Sequence, residues 1–369
     1  MLRHGGASRR NRLLPDRVVV YLVLALCLFC QEPYEEVLRR LVNGLRFLGN
    51  WKDAWQVPTS SAVTQARQRL GEEPLAELFA RVARPIARPG TIGAWFNGLR
   101  LMAVDGVVVD APKSEANSKE FGRGRSNGPF PQLRLVGLGE CGTHAIVDAV
   151  FEPAAHSDER AMLPHLFPTL EPDMLLLADR GFYSYALWSE AAATGAHLLW
   201  RIKNDLQVPV MSTLPDGSYL SELVPRHLKG GGGRRRPVPD KVRIPVRVVE
   251  YTIPNRSGDA ERIRVLTTIL DEAFATATEL AALYQQRWEF ELTLDEIEIH
   301  QMSSTRLLRS KTPELVRQEM WALLLVHFAT RSFMREAADD VGDDPDRLSF
   351  MRTIRVLRRQ VDNQAGFSP

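Results

Sequence analysis

From about Pro15 to Arg100 apolar residues recur mostly at helical spacing, and beyond Leu101 the pattern changes to short, nearly continuous apolar runs. The first helical stretch opens with 13 apolar residues, Val18 to Cys30, preceded by Arg9, Arg10 and Arg12. That arrangement imitates an export signal, the twin-arginine type included. It is too short to span a bilayer, no Ala-x-Ala-like site follows, and the helical pattern continues through Val37, Leu38, Leu41, Val42 and Leu45. A buried helix is the favoured reading, and no membrane partner is expected. Further on, Thr59 or Ser60 offers an N-cap and Gly71 a C-cap for one short helix carrying Ser61, Thr64, Gln65, Arg67, Gln68 and Arg69. Such side chains can touch phosphates and base edges in helix-turn-helix fashion, and a solvated polar face accounts for them equally well.

Strands are expected at Leu101–Val109, Leu133–Leu138, His144–Phe151, Met174–Ala178 and Leu198–Ile202, with helices near Ser157–Phe167 and Tyr183–Thr194. Three strands, then a helix, a strand, a helix and a strand give the order of an RNase H-like mixed α/β sheet, which places carboxylates on central strands. From Asp205 to about Leu270 the chain turns β-rich, with runs at Lys241–Ile253 and Arg262–Ile269. Within that region four glycines precede Arg234, Arg235 and Arg236, a pliant, phosphate-seeking arm or a merely solvated loop. After Thr276 the pattern is helical to the end. The expected organisation is a disordered basic start (1–14), a helical N-terminal DNA-binding domain (15–100), an RNase H-like core in two parts (101–204 and 273–334), a β-rich insertion (205–272) and a helical tail (335–369).

Composition narrows this little. With 369 residues, 44% of them hydrophobic and 25% charged, the chain is long and apolar enough for two or three packed units, which excludes wholesale disorder. Lys and Arg total 47 against 45 Asp and Glu, a net charge of +2, so a nucleic acid must be met through local patches. Three cysteines make no secreted disulfide framework, and Cys27 and Cys30 lack a second Cys or His pair for zinc. Reduced, mostly buried thiols in a cytoplasmic protein are expected.

The chemistry resides in carboxylates. Asp105 interrupts the apolar run Leu101–Val109, and Asp179 ends the run Met174–Ala178 where the chain turns. A buried carboxylate needs a cation or a turn to serve, and for either residue alone the turn is the better reading. Two on neighbouring strands can share a divalent ion, and hard oxygen donors favour Mg²⁺ or Mn²⁺ over zinc. A third acid comes from the stretch Tyr284 to Glu298. At about 100° per residue, Tyr284, Arg287, Glu291, Asp295 and Glu298 fall in a sector of about 80°, beside an apolar stripe of Leu283, Phe290, Leu294 and Ile297. Alone, Arg287 and Glu291 read as a surface ion pair worth a few tenths of a kcal/mol.

Together, Asp105-Gly106, Ala178-Asp179-Arg180-Gly181-Phe182-Tyr183 and Tyr284-x-x-Arg287-x-x-x-Glu291 closely resemble the signature regions of DDE transposases of the insertion-sequence-four family, and the likeness extends over most of the chain. The resemblance implies that Asp105, Asp179 and Glu291 hold catalytic Mg²⁺ or Mn²⁺, and that Tyr284 and Arg287 position the DNA end. It implies two-metal-ion hydrolysis followed by transesterification, by cut and paste, on double-stranded DNA comprising terminal inverted repeats and target. A homodimer on paired ends in the bacterial cytoplasm, associated with the nucleoid, goes with it. DNA would be held by the N-terminal helices with Arg67 and Arg69, by Lys203 and the Arg234–Arg236 arm, and at the C-terminus by Arg352, Arg355, Arg358 and Arg359, again with a solvated face as the equal alternative. The motif departs from the family where a Lys seven residues after the Glu is replaced by Glu298; Lys203, Arg306, Arg309 and Lys311 are the cations at hand to substitute. Two rivals stay open: a nuclease that cuts without joining, and an impaired DNA-binding remnant. His144, His156, His165, His197 and His300 are scattered and read as structural, and Trp200, Tyr251 and Trp288 as core.

Overall fold

The computed structural model describes residues 14–44, 57–122, 128–225, 242–254, 260–302 and 307–361. Helices α1 (Asp16–Leu28), α2 (Tyr34–Gly44), α3 (Ser60–Leu70) and α4 (Glu73–Val82) lead the chain. The export-like run is core: Val19, Leu22, Val23 and Leu26 of α1 are buried. No helix among the described residues is long and apolar enough to cross a membrane. The capping expected of α3 is present, with Thr59 Oγ1 accepting the Ala62 N–H at 3.2 Å and Gly71 at φ 73° closing the helix. Both α1 and α4 pack on the 29-residue helix α10 (Pro313–Val341).

The sheet is built from β1 (Trp95–Phe96), β2 (Leu99–Asp110), β3 (Gln132–Glu140), β4 (Ala145–Pro153), β5 (Met174–Ala178), β6 (His197–Arg201), β7 (Ser212–Thr213), β8 (Tyr219–Leu223), β9 (Ile244–Pro254) and β10 (Ala260–Thr267). Among the described residues the spatial order is β4-β3-β2-β5-β6-β10-β9-β8-β7, with β1 folded onto β2. Strands β2, β5 and β6 run parallel to their neighbours in that trio, and the remaining pairs are antiparallel. This is the RNase H-like mixed sheet flanked by helices that the strand order predicts. The β-rich segment joins the same sheet, because β10 pairs with β6.

Alternation along the strands divides the core in two. Leu101, Ala103, Leu175 and Leu177 face the N-terminal helices and α10, whereas Met102, Val104, Leu176 and Ala178 face Phe167, Trp188 and Trp200. The second layer holds α6 (Glu159–Met162) and α7 (Tyr185–Ala193), whereas α5 (Glu115–Phe121), between β2 and β3 in the chain, packs on the side of α10. The helix expected over Ser157–Phe167 is only partly α-helical: α6 passes into a 3₁₀ turn, Leu163–Thr169, because Pro164 and Pro168 supply no N–H for an α-helical ladder.

The acid-bearing stretch is likewise interrupted. A capping box, in which Thr276 and Glu279 satisfy each other's backbone, starts α8 (Ala277–Tyr284). The Gln285 and Gln286 N–H groups then donate three residues back, to Ala282 at 3.1 Å and Leu283 at 2.9 Å, which tightens the turn before α9 (Arg287–Asp295). A π-helical turn, Glu296–Gln301, follows, so Glu298 lies outside the run of α9 that carries Arg287 and Glu291. The apolar stripe holds, with Leu283, Phe290, Leu294 and Ile297 all buried. A 3₁₀ turn at Pro345–Arg347 and helix α11 (Phe350–Val361) complete the chain.

Candidate active site

Strand β2 is buried up to Val104 and becomes half-exposed from Asp105 to Val108, so it delivers the Asp105 carboxylate where the sheet opens. Val104 pairs with Ala178 of the parallel strand β5, so Asp105 in β2 and Asp179, the first residue past the end of β5, each follow that pair. Asp105 Oδ1 accepts the Gly106 N–H at 2.8 Å.

Helix α9 is admitted to this place by glycines of β3. A Cβ on Gly139 would stand 1.9 Å from Phe290 Cε2, and one on Gly137 would stand 3.4 Å from Phe290 Cζ. The Phe290 ring therefore rests on bare strand, and Gly137 is the cross-strand partner of Asp105. The residue after Phe290, Glu291, is thereby brought beside Asp105. Arg287 Nη1 donates to Asp105 Oδ2 at 3.3 Å and Nη2 donates to Glu291 Oε1 at 2.7 Å. The Arg287 side chain is 4% exposed, against 20% for Asp105 and 39% for Glu291. Tyr284, also buried, directs its hydroxyl to Ala178 O at 3.3 Å and Asp179 Oδ1 at 3.5 Å.

Electrostatics follow from this burial. Desolvation pushes Asp105 up from 3.8 to about 6; the Gly106 N–H and Arg287 oppose that rise, and Glu291 and Glu159 add to it. Burial, with Asp179 alongside, also raises the Tyr284 phenol, while Arg287 pulls it down; the raised phenol stays a hydrogen-bond donor.

The amino-terminal residues 2–80 match the family described as insertion element 4 transposase N-terminal, and residues 97–329 match the transposase DDE domain. The chain is 30% identical over 372 aligned residues to the transposase InsG for insertion sequence element IS4 of Escherichia coli (strain K12), covering 99% of this chain and 80% of that protein. The chain belongs to the DDE transposases of the insertion element 4 type. A putative transposase InsZ of the same bacterium is 28% identical over 198 residues, 53% of this chain and 63% of its own. The fold is shared with a piggyBac transposase in a synaptic complex with hairpin DNA, at TM-score 0.51 and 12% identity over 94% of this chain and 71% of that one.

A DDE transposase is an enzyme that acts on DNA with divalent metal, and the residues here suit such an ion. Asp105 and Glu291 are hard carboxylate donors that share one cation, the Arg287 guanidinium, and Asp179 is held separately by the Tyr284 hydroxyl. The ligand atoms of Asp105, Asp179 and Glu291 do not all lie within 4.8 Å of one another, so the three acids are not closed onto one point. Tyr284 and Arg287, which the resemblance assigns to the DNA end, are turned onto the carboxylates. Directly beyond Asp179 opens a cleft of about 450 Å³ lined by Arg160, Arg180, Tyr183, Tyr185, Lys203 and Gln207. Lys203 is exposed in this cleft, where Arg180 of the signature motif and Arg160, which no sequence pattern singled out, join it.

The N-terminal arginines divide. Arg67 is a correction: it is 3% exposed, and its guanidinium donates to Gln318 Oε1 at 2.9 Å, Ser310 Oγ at 3.0 Å, Leu315 O at 3.2 Å and Tyr34 at 3.3 Å. It ties α3 to α10 and has no free edge for a phosphate. Arg67→Ala is expected to lower stability by about 2–4 kcal/mol in urea unfolding, since it orphans several buried acceptors. The salt dependence of DNA binding should be unmoved. Arg69 is exposed but leans on Leu14 O at 3.0 Å and Asp16 at 3.7 Å. Arg234, Arg235, Arg236 and Arg306 lie outside the described residues. At the C-terminus Arg352, Arg355 and Arg359 are exposed, whereas Arg358 donates to Leu28 O at 2.6 Å.

Sequence reasoning missed a second cluster. Among the described residues, His144, Glu289 and Asp346 form the one group of three or more His, Cys, Asp or Glu residues whose ligand atoms all lie within 4.8 Å of one another. His144 Nδ1 lies 2.6 Å from Arg331 Nη2, which can only donate, so the ring proton belongs on Nε2, 3.0 Å from Asp346 Oδ1. With Nδ1 engaged by Arg331 and Nε2 protonated, neither ring nitrogen offers a lone pair to a metal, and Nε2 makes no hydrogen bond to the neighbouring acids. Arg331 is in turn held by both oxygens of Glu296. The signal in the sequence was slight: His144 adopts φ 57° in the β3–β4 turn, which no periodicity reveals.

Proposed function

We propose that Asp105, Asp179 and Glu291 hold Mg²⁺ or Mn²⁺, and that the transposase cuts DNA at the ends of an insertion sequence and joins them to target by cut and paste. The observation that carries this reading is the bridging of Asp105 and Glu291 by one guanidinium, beside an Asp179 that follows Ala178, the strand partner of Val104. Bound divalent ions supply activation of the attacking oxygen, first water and then the freed 3′-hydroxyl, and stabilisation of the departing oxygen. Asp105 and Asp179, fixed on adjacent strands, keep the donors preorganised. Tyr284 orients Asp179 through its hydroxyl, and Phe290 seats Glu291 against the sheet. Lys203, with Arg160 and Arg180, lines the strand's path away from the acids and pairs with phosphates, while exposed Arg69 and the Arg234–Arg236 arm extend that contact. Two copies on paired ends form the working unit, in the bacterial cytoplasm at the nucleoid; the relatives from Escherichia coli support the bacterial setting.

The test supplies duplexes bearing the flanking inverted repeats with Mg²⁺ or Mn²⁺ and looks for joined products. Strand transfer is the expected result; cleavage with no joining would favour the nuclease. A second reading, an impaired remnant, is favoured by Glu298, an anion where the family carries Lys. Glu298→Lys should then raise cleavage sharply from near zero, whereas the main reading expects activity in the wild type and a gain or no loss in the variant.

Proton competition gives a further expectation. The folded chain holds the Asp105 proton more tightly than the unfolded chain does, because its pKa is raised from 3.8 to about 6. The contribution of Asp105 to metal-free stability is therefore most favourable below about 3.8, and by about 6 it has fallen by about 3 kcal/mol. The same proton opposes metal, so Mn²⁺ affinity should weaken as pH falls through about 6, which calorimetric titration across that range would read.

A further inference from the structure

We propose that Arg287 is the internal counter-cation of the acidic site, and that it makes metal entry conditional on a DNA phosphate taking the guanidinium away. The inference rests on the metal role of Asp105 and Glu291 proposed above. Arg287 donates to Asp105 Oδ2 at 3.3 Å and Glu291 Oε1 at 2.7 Å, so one side chain engages both of the acids that would hold a divalent ion. The guanidinium is almost wholly buried, so its interaction with both acids is little screened, and an incoming dication would meet a like charge in the same space. Metal and Arg287 therefore compete for the same carboxylates.

The guanidinium is also incompletely satisfied. Its Nε is buried and has no hydrogen-bond partner, while Nη1 and Nη2 each serve one carboxylate. A phosphate accepts two parallel bonds from the Nε and Nη edge, which the two separate acids do not provide. The neighbouring Trp288 ring, 56% exposed, lies 5.0 Å from the guanidinium carbon and offers a face along which the cation can move outward. Phosphate binding and metal binding are thus coupled through one side chain, and by linkage each strengthens the other by the same factor. The acids stay neutralised until substrate arrives, so the enzyme holds hydrolytic metal more weakly without DNA than with it.

The test is Mn²⁺ titration without DNA, by calorimetry and by the Mn²⁺-induced rise in melting temperature, on the wild type, Arg287→Gln, Arg287→Lys and the double variant Arg287→Gln with Asp105→Asn. Arg287→Gln is expected to bind Mn²⁺ about tenfold or more tightly than the wild type. Its melting temperature without metal should be lower, and Mn²⁺ should raise it further than in the wild type. Arg287→Lys, whose ammonium reaches one acid at a time, should change in the same direction by less, and it serves if Arg287→Gln does not fold. The gain should vanish in the double variant. Unchanged Mn²⁺ affinity in the folded Arg287 variants, with binding still dependent on Asp105, overturns the counter-cation while leaving the metal site intact. Mn²⁺ binding that ignores Asp105 in every background overturns the metal site itself, and this inference with it.

Discussion

Asp179→Asn is expected to reduce divalent-metal-dependent cleavage by on the order of 10³-fold, because removing one anionic metal ligand forfeits several kcal/mol of transition-state stabilisation. The substitution keeps the shape and leaves Tyr284 its acceptor. A turn-forming role for the Asp179 side chain is answered by the geometry: the Phe182 N–H donates to the backbone carbonyl of Asp179 at 3.0 Å, and the carboxylate is turned to Tyr284. Asn should therefore fold as well as Asp, with an unchanged melting temperature and unchanged DNA retention in a shift assay. Wild-type cleavage rates in this variant would sink the metal assignment.

Gly139→Ala is expected to cost about 1–3 kcal/mol of stability and to depress cleavage further than that loss explains. The added methyl would stand 1.9 Å from Phe290 Cε2, so the ring, and with it α9, must move off the sheet and carry Glu291 away from Asp105. Gly137→Ala provides the contrast, because its nearest approach to the same ring is 3.4 Å, an ordinary contact distance. Phe290→Leu added to Gly139→Ala should recover part of both losses, since the smaller side chain vacates the collision. Urea unfolding read beside cleavage rates separates the two effects, and a Gly139→Ala chain as stable and active as Gly137→Ala would refute the seating of α9.

The acids were readable because burying charge is expensive. Asp105 in an apolar strand and Asp179 at the end of another stood out against their surroundings, and β2 and β5 do pair so as to align them. The helix of Glu291 was legible through its apolar stripe, but its interruptions were not. No Gly or Pro marks Gln285 and Gln286, where two hydrogen bonds shorten by one residue, and the π-helical turn follows without a sequence cue. Gly139 was present as a gap in an apolar strand, yet only the approach of Phe290 gives the gap its meaning. Arg67 shows the opposite failure: its flanking polar residues suggested a solvated or DNA-facing helix, whereas Gln318 and Ser310, some 250 and 240 residues onward, claim its guanidinium. His144 and Asp346 meet for the same reason, through tertiary packing that local spacing does not encode.

The pairing of β10 with β6 has a practical corollary. Leu199, Trp200 and Arg201 bond to Thr267, Leu266 and Val265, so the β-rich segment closes what would otherwise be a bare rim of the catalytic sheet. A shortened chain lacking that segment would present an unpaired ribbon of backbone donors and acceptors beside exposed leucine and tryptophan, an invitation to fibrous self-association. The four strands are not an ornament inserted into a finished catalytic unit, and trimming them would leave that unit insoluble before it became inactive.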